Sequence, residues 1–236
     1  MKRDKDPMGS AIADYFRCGQ AGRLRVFSPG FDEDEIPVET LYREFGEMPP
    51  LEQQALRLAA GRTLDVGAGA GCHTLSLQRQ GLDVVAIDIA PLSVETMRKR
   101  GVADAREQDF WTLDGEQFDT LLMLMNGIGI VGTLDQLPRF FRHIDTLLAP
   151  GGLLLLDSTD LRYLYEDEDG VVRLPAEGYY GEVEYTMQYK RVKGAPFMWV
   201  YVDYDTLQRV AAECGWRAER IAEGEHYDYL ARITRA

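Results

Sequence analysis

Three glycines at alternate positions, Gly67, Gly69 and Gly71, carry the strongest chemical signal in the chain, with Asp65 two residues before them and Asp88 about twenty beyond. Glycine lets the backbone turn tightly and lets a ligand approach where a Cβ would clash. The helix that follows such a turn offers unpaired N–H groups. An acidic side chain about twenty residues further on, at the end of the next strand, is placed to take both hydroxyls of a ribose. The chemistry implied is the binding of a nucleoside-containing ligand.

The ligand's charge can be argued from the same residues. The dinucleotide fingerprint is G-x-G-x-x-G/A. Here the spacing is G-x-G-x-G, and Cys72 stands where the third small residue belongs. Asp65 repels a pyrophosphate but suits an ammonium or a sulfonium. S-adenosylmethionine carries both and has no phosphate, so the residues tilt toward it and away from NAD.

These residues need a parallel α/β scaffold. Leu64 to Val66 reads as a short buried strand, followed by a helix from about Cys72 to Gly81. Leu82 to Ile87 reads as the next strand, ending in Asp88. Pro91 suits the first turn of a helix that stops at Gly101. A weak strand spans about Val102 to Gln108. Phe118 to Met125 is apolar on both faces, as a central parallel strand is, and it runs into Asn126-Gly127. Leu134 to Leu148 reads as a helix with Phe140, Phe141, Ile144, Leu147 and Leu148 on its buried stripe, and Leu153 to Leu156 reads as a fifth strand. Asp157, Ser158, Thr159 and Asp160 lie at that strand's end, on the side expected to face a substrate.

Leu64-Asp65-Val66-Gly67-Ala68-Gly69-Ala70-Gly71 resembles the first motif of the class I S-adenosylmethionine-dependent methyltransferases, and Ile87-Asp88-Ile89 resembles their second. Asp109-Phe110-Trp111 is similar to the acidic and aromatic pair that holds the adenine. Leu148-Ala149-Pro150-Gly151-Gly152, with the leucines after it, resembles the turn into their fifth strand. The resemblance covers about residues 50–160. It implies a doubly wound, seven-stranded, mainly parallel sheet and S-adenosylmethionine as cofactor. It places Asp65, Gly67, Ala68, Gly69, Gly71, Asp88, Ile89, Asp109, Phe110, Asn126 and Gly127 at the cofactor. It also makes Tyr42, Arg43, Phe45 and Met48 candidates for the pocket wall. The Asn/Asp-Pro-Pro-aromatic run of ring-nitrogen and amide methyltransferases does not follow Met125, which argues against those acceptors.

The flanks are less regular. Residues 1–50 read as an N-terminal extension with lid helices: loose at 1–10, helical near Ile12–Phe16, a small strand at Arg23–Phe27, then an acidic loop from Ser28 to Pro37. Residues 51–160 form the cofactor-binding core. Residues 161–204 exceed what that core requires. Val183, Tyr185, Met187 and Tyr189 alternate with polar residues and Phe197 to Val202 returns, which predicts an inserted antiparallel hairpin serving as a substrate wall. Residues 205–236 give a closing helix and a strand pair. Tyr15, Tyr180 and His226 are the candidate substrate contacts, and no residue is assigned as catalytic.

Composition narrows the partners. The chain has 236 residues, 39 acidic against 26 basic, for a net charge of −13. That balance disfavours nucleic acid, whose phosphates need clustered Lys and Arg, and favours a small molecule. Three cysteines, Cys18, Cys72 and Cys214, make no disulfide framework. Cys72 reads as a packing residue. His73, His143 and His226 lack metal-ligand spacing, so no metal is expected. No apolar run reaches the length of a membrane span. The expected setting is cytoplasmic, as a monomer or homodimer. The expected activity is in-line methyl transfer to a small molecule. A non-catalytic cofactor-binding subunit and an NAD-dependent oxidoreductase stay open as alternatives.

Overall fold

The computed structural model describes residues 1–236. In chain order the elements are α1 (Pro7–Cys18), β1 (Leu24–Phe27), β2 (Asp34–Ile36), α2 (Pro50–Leu58), β3 (Thr63–Val66), α3 (Cys72–Arg79), β4 (Val84–Asp88), α4 (Pro91–Arg100), β5 (Asp104–Glu107), β6 (Phe118–Met123), α5 (Leu137–Leu147), β7 (Leu148–Thr159), β8 (Glu182–Tyr189), β9 (Val192–Lys193), β10 (Phe197–Val200), α6 (Tyr204–Glu213), β11 (Trp216–Glu223) and β12 (Asp228–Arg235). Short 3₁₀ turns join several of them.

The main sheet has seven strands in the order β11-β12-β7-β6-β3-β4-β5. The pairs from β5 across to β7 are parallel, and β12 runs antiparallel between β7 and β11. The expected α/β fold, doubly wound and mainly parallel, is therefore present. Its strand order reverses beside β3, and in such sheets the crevice at the strand ends there receives ligands. The sequence explains the sheet's burial. All four residues of β3 are buried, as are Val84 to Ile87 of β4. Leu137, Phe140, Phe141, Ile144 and Leu147 turn one stripe of α5 onto one sheet face. Leu51, Ala55 and Leu56 of α2 cover the other beside Leu77 of α3.

The predicted hairpin is present as β8 and β10, antiparallel with Tyr185 opposite Phe197 and Val183 opposite Trp199. It does not stand alone. β1 pairs with β8, Leu24 opposite Tyr189, and β2 pairs with β1. The N-terminal segment and the insertion thus build one antiparallel sheet of five strands, counting β9 at its side. Directly opposed residues share a face, so Phe197, Trp199, Val183, Tyr185, Met187, Val26 and Asp34 lie on one side. That side is the inner one, because Val183 and Tyr189 on it are buried.

Two local expectations need correction. Residues 1–10 are not loose: Pro7 already opens α1, and the wholly buried Asp6 caps it by accepting the Gly9 N–H at 2.7 Å. The acidic run before Pro37 is not simply a loop, because Asp34–Ile36 is a strand. Glu33 and Glu35 turn to Arg25 and Arg23 of the neighbouring strand region, at 2.6 and 2.5 Å. Cross-strand charge pairing accounts for a strand where composition suggested a solvated segment.

Candidate cofactor and transfer site

The site is built at the C-terminal edge of the parallel strands. After Val66 the chain turns through Gly67, Gly69 and Gly71, all at positive φ, and enters α3 at Cys72. The N–H groups of Gly67 and Ala68 bond to Ile87 O at 2.9 and 3.1 Å, which pins the turn to β4. The Asp88 carboxylate ends β4. Its Oδ2 accepts the Gly69 N–H at 2.9 Å and its Oδ1 the Ala90 N–H at 2.8 Å. Each oxygen keeps a further lone pair for a ligand. Burial pushes the Asp88 carboxyl up to about 6, against the pull of those two N–H groups. Ile89 beside it is exposed.

Asp65 is buried in β3, and its Oδ2 accepts the Thr74 hydroxyl at 2.5 Å. Burial raises its pKa, opposed by the charge of His73 and by the bonds to Thr74. His73 lies at 2.7 Å from Glu52, and Glu52 also takes the Arg43 guanidinium at 2.7 Å. Burial opposes charge on His73, yet Cys72, Glu52 and Asp65 together hold its pKa well above the ordinary value. Arg43 also approaches the Met125 sulfur at 3.9 Å. A buried array of alternating charge therefore lies under the glycine-rich turn.

The loop after β6 forms the adjacent edge. Asn126 and Gly127 stand where the strand ends, and Asp157 of β7 accepts the N–H groups of Met125 and Asn126 at 3.1 and 2.7 Å. The Thr159 hydroxyl donates to Asn126 Oδ1 at 3.0 Å. Burial pushes the Asp157 carboxyl up to about 7. The inner sheet docks on this loop: the Trp199 indole packs against Gly129, where an added Cβ would lie 1.9 Å from Nε1.

Helix α1 covers the turn from above. Ile12 packs with Ala70 and Leu41, and the Tyr42 hydroxyl donates to Ile12 O at 2.6 Å. Tyr15 lies on the Tyr42 ring at 4.6 Å. The Arg100 guanidinium sits over the same ring, 4.4 Å from its centroid, and donates to Ala70 O. Burial pushes the Tyr42 phenol up to about 12. Of the proposed wall residues, Tyr42 and Arg43 reach the turn or the loop beside it, while Phe45 and Met48 pack with α2.

Four further predicted contacts have surroundings of their own. Phe110 is not an open platform: it is 3% exposed and packs edge-on against His143 and beside Phe140 in the main core. Asp109 is exposed and caps the short turn 110–112 through the Trp111 N–H at 2.9 Å. Tyr180 is buried with its hydroxyl donating to Asp160 at 2.8 Å. His226 lies exposed in the turn between β11 and β12, at the sheet edge where Asp228 pairs with Thr159 at the end of β7. Two contributors were not singled out in the sequence, Asp6 and Glu52. Asp6 followed by Pro7 is a helix-start signature and was legible; Glu52 sits mid-helix and gives no local signal.

A family model described as a methyltransferase domain matches residues 63–152. The chain is 34% identical over 111 residues to the ubiquinone biosynthesis O-methyltransferase of Xanthomonas oryzae pv. oryzae, covering 44% of this chain and 45% of that protein. It is 33% identical over 105 residues to the cypemycin N-terminal methyltransferase of a Streptomyces species, covering 42% and 43%. The chain thus spans under half the length of these curated relatives. A crystal structure of an S-adenosylmethionine-dependent methyltransferase from Bacteroides fragilis, in complex with S-adenosylhomocysteine, superposes with a TM-score of 0.95 at 55% identity, covering 100% of this chain and 97% of that one. With the same fold over its whole length and the glycine-rich turn joined to Asp88, this chain belongs to the S-adenosylmethionine-dependent methyltransferases.

Proposed function

We propose that this chain binds S-adenosylmethionine at the edge formed by β3, β4 and β6 and transfers its methyl group to a small molecule held beneath the inner face of the second sheet. The observation that supports this most is the Asp88 carboxylate, bonded to Gly69 and Ala90 and still able to accept two ribose hydroxyls. Gly67, exposed at the start of the turn, leaves it open to the amino acid part of the cofactor, while Ala68 is buried beside it and Gly71 fits closely against Met97 and Val102. Asp65 lies behind that turn as the nearest negative charge for its ammonium. Asn126 and Gly127 border the sulfonium, and Ile89 and Asp109 border the nucleoside end.

The reaction is a displacement. A lone pair on the acceptor forms the new bond to the methyl carbon, the carbon–sulfur bonding pair returns to sulfur, and S-adenosylhomocysteine is released. The protein contributes orientation and exclusion of water. The acceptor wall is Tyr185, Met187, Phe197 and Trp199, held over the loop after β6 by Trp199 at Gly129 and by the Val202 N–H bonded to Ser158 Oγ at 2.9 Å. The Tyr185 and Tyr201 hydroxyls lie 3.1 Å apart and give the wall a polar point. An aromatic wall with an acidic margin at Asp34 suits a compact molecule better than a polyanion. The Xanthomonas and Streptomyces relatives are named for ubiquinone biosynthesis and for an N-terminal acceptor, so O- and N-acceptors both belong in the test.

The test is incubation with methyl-labelled S-adenosylmethionine and a panel of small amines, phenols and carboxylic acids. Label in a low-molecular-weight product, with S-adenosylhomocysteine released in equal amount, supports the reading. Label found only in added RNA or protein contradicts the small-molecule acceptor.

A further inference from the structure

Met125 and Asn126 both have left-handed backbones, φ 60° and 57°, and are the only consecutive non-glycine residues with positive φ in the chain. Each such residue carries backbone strain and persists only where its surroundings over-determine it. Two successive N–H groups in this conformation converge on one point, which suits an anion. The anion here is internal. Asp157 Oδ2 accepts the Met125 N–H and Oδ1 the Asn126 N–H. Asp157 stands on β7 one residue beyond Leu156, which pairs with Met123, the last residue of β6. The carboxylate therefore sits beside the point where the chain leaves the sheet. Thr159, two residues on and pointing to the same face of β7, bonds the Asn126 side-chain oxygen. Its partner taken, that carboxamide keeps its NH₂ free to donate.

We propose that Asp157 is a positioning residue: its ionised carboxylate fixes the left-handed Met125–Asn126 pair, and with Thr159 it aims the Asn126 carboxamide at the bound cofactor. This rests on the reading of the site as an S-adenosylmethionine site. The clamp works only as an anion. A protonated carboxyl presents an O–H to one of the two N–H groups and leaves that group without an acceptor, so nothing offsets the strain there. The charged groups that act on Asp157 are Glu52 of α2, which disfavours its charge, and His73 of α3, which favours it; on β12 the apolar Leu230 stands opposite it, and the phenol of Tyr229, held neutral by burial, lies on the other face opposite Ser158. Arg43 reaches the array through Glu52. Burial outweighs the N–H bonds, and the carboxyl titrates near neutrality, at about 7.

Calorimetric titration with S-adenosylhomocysteine as the probe, from pH 8.5 to 6.5, tests this in wild type, Asp157→Asn and Asp157→Glu. The wild-type association constant falls about threefold to fivefold across that interval as the clamp protonates. In Asp157→Asn the constant stays near the low value, changing by less than about twofold as Asp88 begins to protonate, because the amide accepts one N–H and opposes the other. Asp157→Glu restores a pH step. A pH step of the same size in Asp157→Asn overturns the proposal. A second arm needs neither ligand nor variant: amide exchange of Met125 and Asn126 in the wild-type protein, corrected for the intrinsic dependence on pH. Protection falls from pH 8.5 to 6.5 at these two amides while Leu121 and Leu122 hold theirs; unchanged protection overturns the clamp. If the wild type binds no S-adenosylhomocysteine at any pH, the cofactor reading fails, and the exchange arm still decides whether Asp157 holds the loop.

Discussion

Asp88 and Gly69, nineteen residues apart in the chain, are joined by a 2.9 Å hydrogen bond from the Gly69 N–H to the Asp88 carboxylate. The bond links the end of β4 to the middle of the glycine-rich turn, so the carboxylate proposed to take the ribose is fixed relative to that turn. Burial holds this carboxyl up at about 6, well above an ordinary aspartate. A ligand that donates two hydroxyls to it favours the ionised form. Affinity for S-adenosylhomocysteine therefore rises as pH increases through about 6, and binding below that pH releases a proton. Calorimetric enthalpies in buffers of different ionisation heat measure the release. The sign for stability is opposite: a folded-state pKa raised above the unfolded value gives stability that is present below about 4 and lost as pH rises through 6. The stability difference between wild type and Asp88→Asn shifts toward the variant over that interval.

Gly129 has no room for a methyl group, since an added Cβ would lie within 2.3 Å of three Trp199 ring atoms. Gly129→Ala must push the indole off the loop after β6. The expected cost is about 1–3 kcal/mol in chemical denaturation, together with a change in tryptophan fluorescence. Unchanged stability and emission would contradict the packing of β10 on that loop.

Glu52 is 5% exposed and holds both His73 and Arg43. Burial works against its charge, but the two cations outweigh it and its pKa is lowered. Glu52→Gln leaves two buried cations short of a counter-charge and destabilises by about 3–5 kcal/mol. Arg43→Met costs less, because His73 still pairs with Glu52. Thermal unfolding of the two variants ranks them; equal midpoints would contradict the assignment.

Tyr185→Phe removes one partner of the 3.1 Å contact to Tyr201 and leaves the glycine-rich turn untouched. Calorimetry is expected to give a cofactor Kd within about twofold of wild type, since a substitution without a lost contact to the ligand shifts binding little. With an acceptor found in the screen, KM for that acceptor rises. A Kd for S-adenosylhomocysteine weakened tenfold would place Tyr185 at the cofactor instead.

His226 makes only a backbone bond, its N–H donating to Asp228 at 3.0 Å, and its exposed side chain bonds nothing in the site, although the turn lies at the end of β7. His226→Ala is expected to leave both cofactor affinity and turnover unchanged. A loss of turnover with intact folding would return this histidine to the site.

The parts of the fold that were legible in the sequence are those with local signals. Gly67, Gly69 and Gly71 mark the turn because positive φ requires them, and Leu64 to Val66 and Phe118 to Met123 mark strands because both sheet faces are covered. The second sheet was not legible as a unit. Leu24 pairs with Tyr189 across 165 residues, and no periodicity reports a partner at that distance. β2 is three residues long and begins inside an acidic run, so its strand character comes from Arg23 and Arg25 next door. Phe110 shows the reverse problem, since an aromatic after an aspartate reads the same whether it stacks on a ligand or fills a core. The clamp on Met125 and Asn126 was invisible for a third reason: left-handed backbone at Met has no sequence signature, and it exists only because Asp157 stands on the next strand.

The central claim, that the glycine-rich turn and Asp88 form an S-adenosylmethionine site, is tested most directly by calorimetric titration of the wild type and Asp88→Ala with S-adenosylmethionine, S-adenosylhomocysteine and NAD. Micromolar binding of the first two by the wild type, loss of at least tenfold in the variant and no binding of NAD are expected. Binding of NAD alone, or affinity for S-adenosylhomocysteine unchanged by Asp88→Ala, would contradict it.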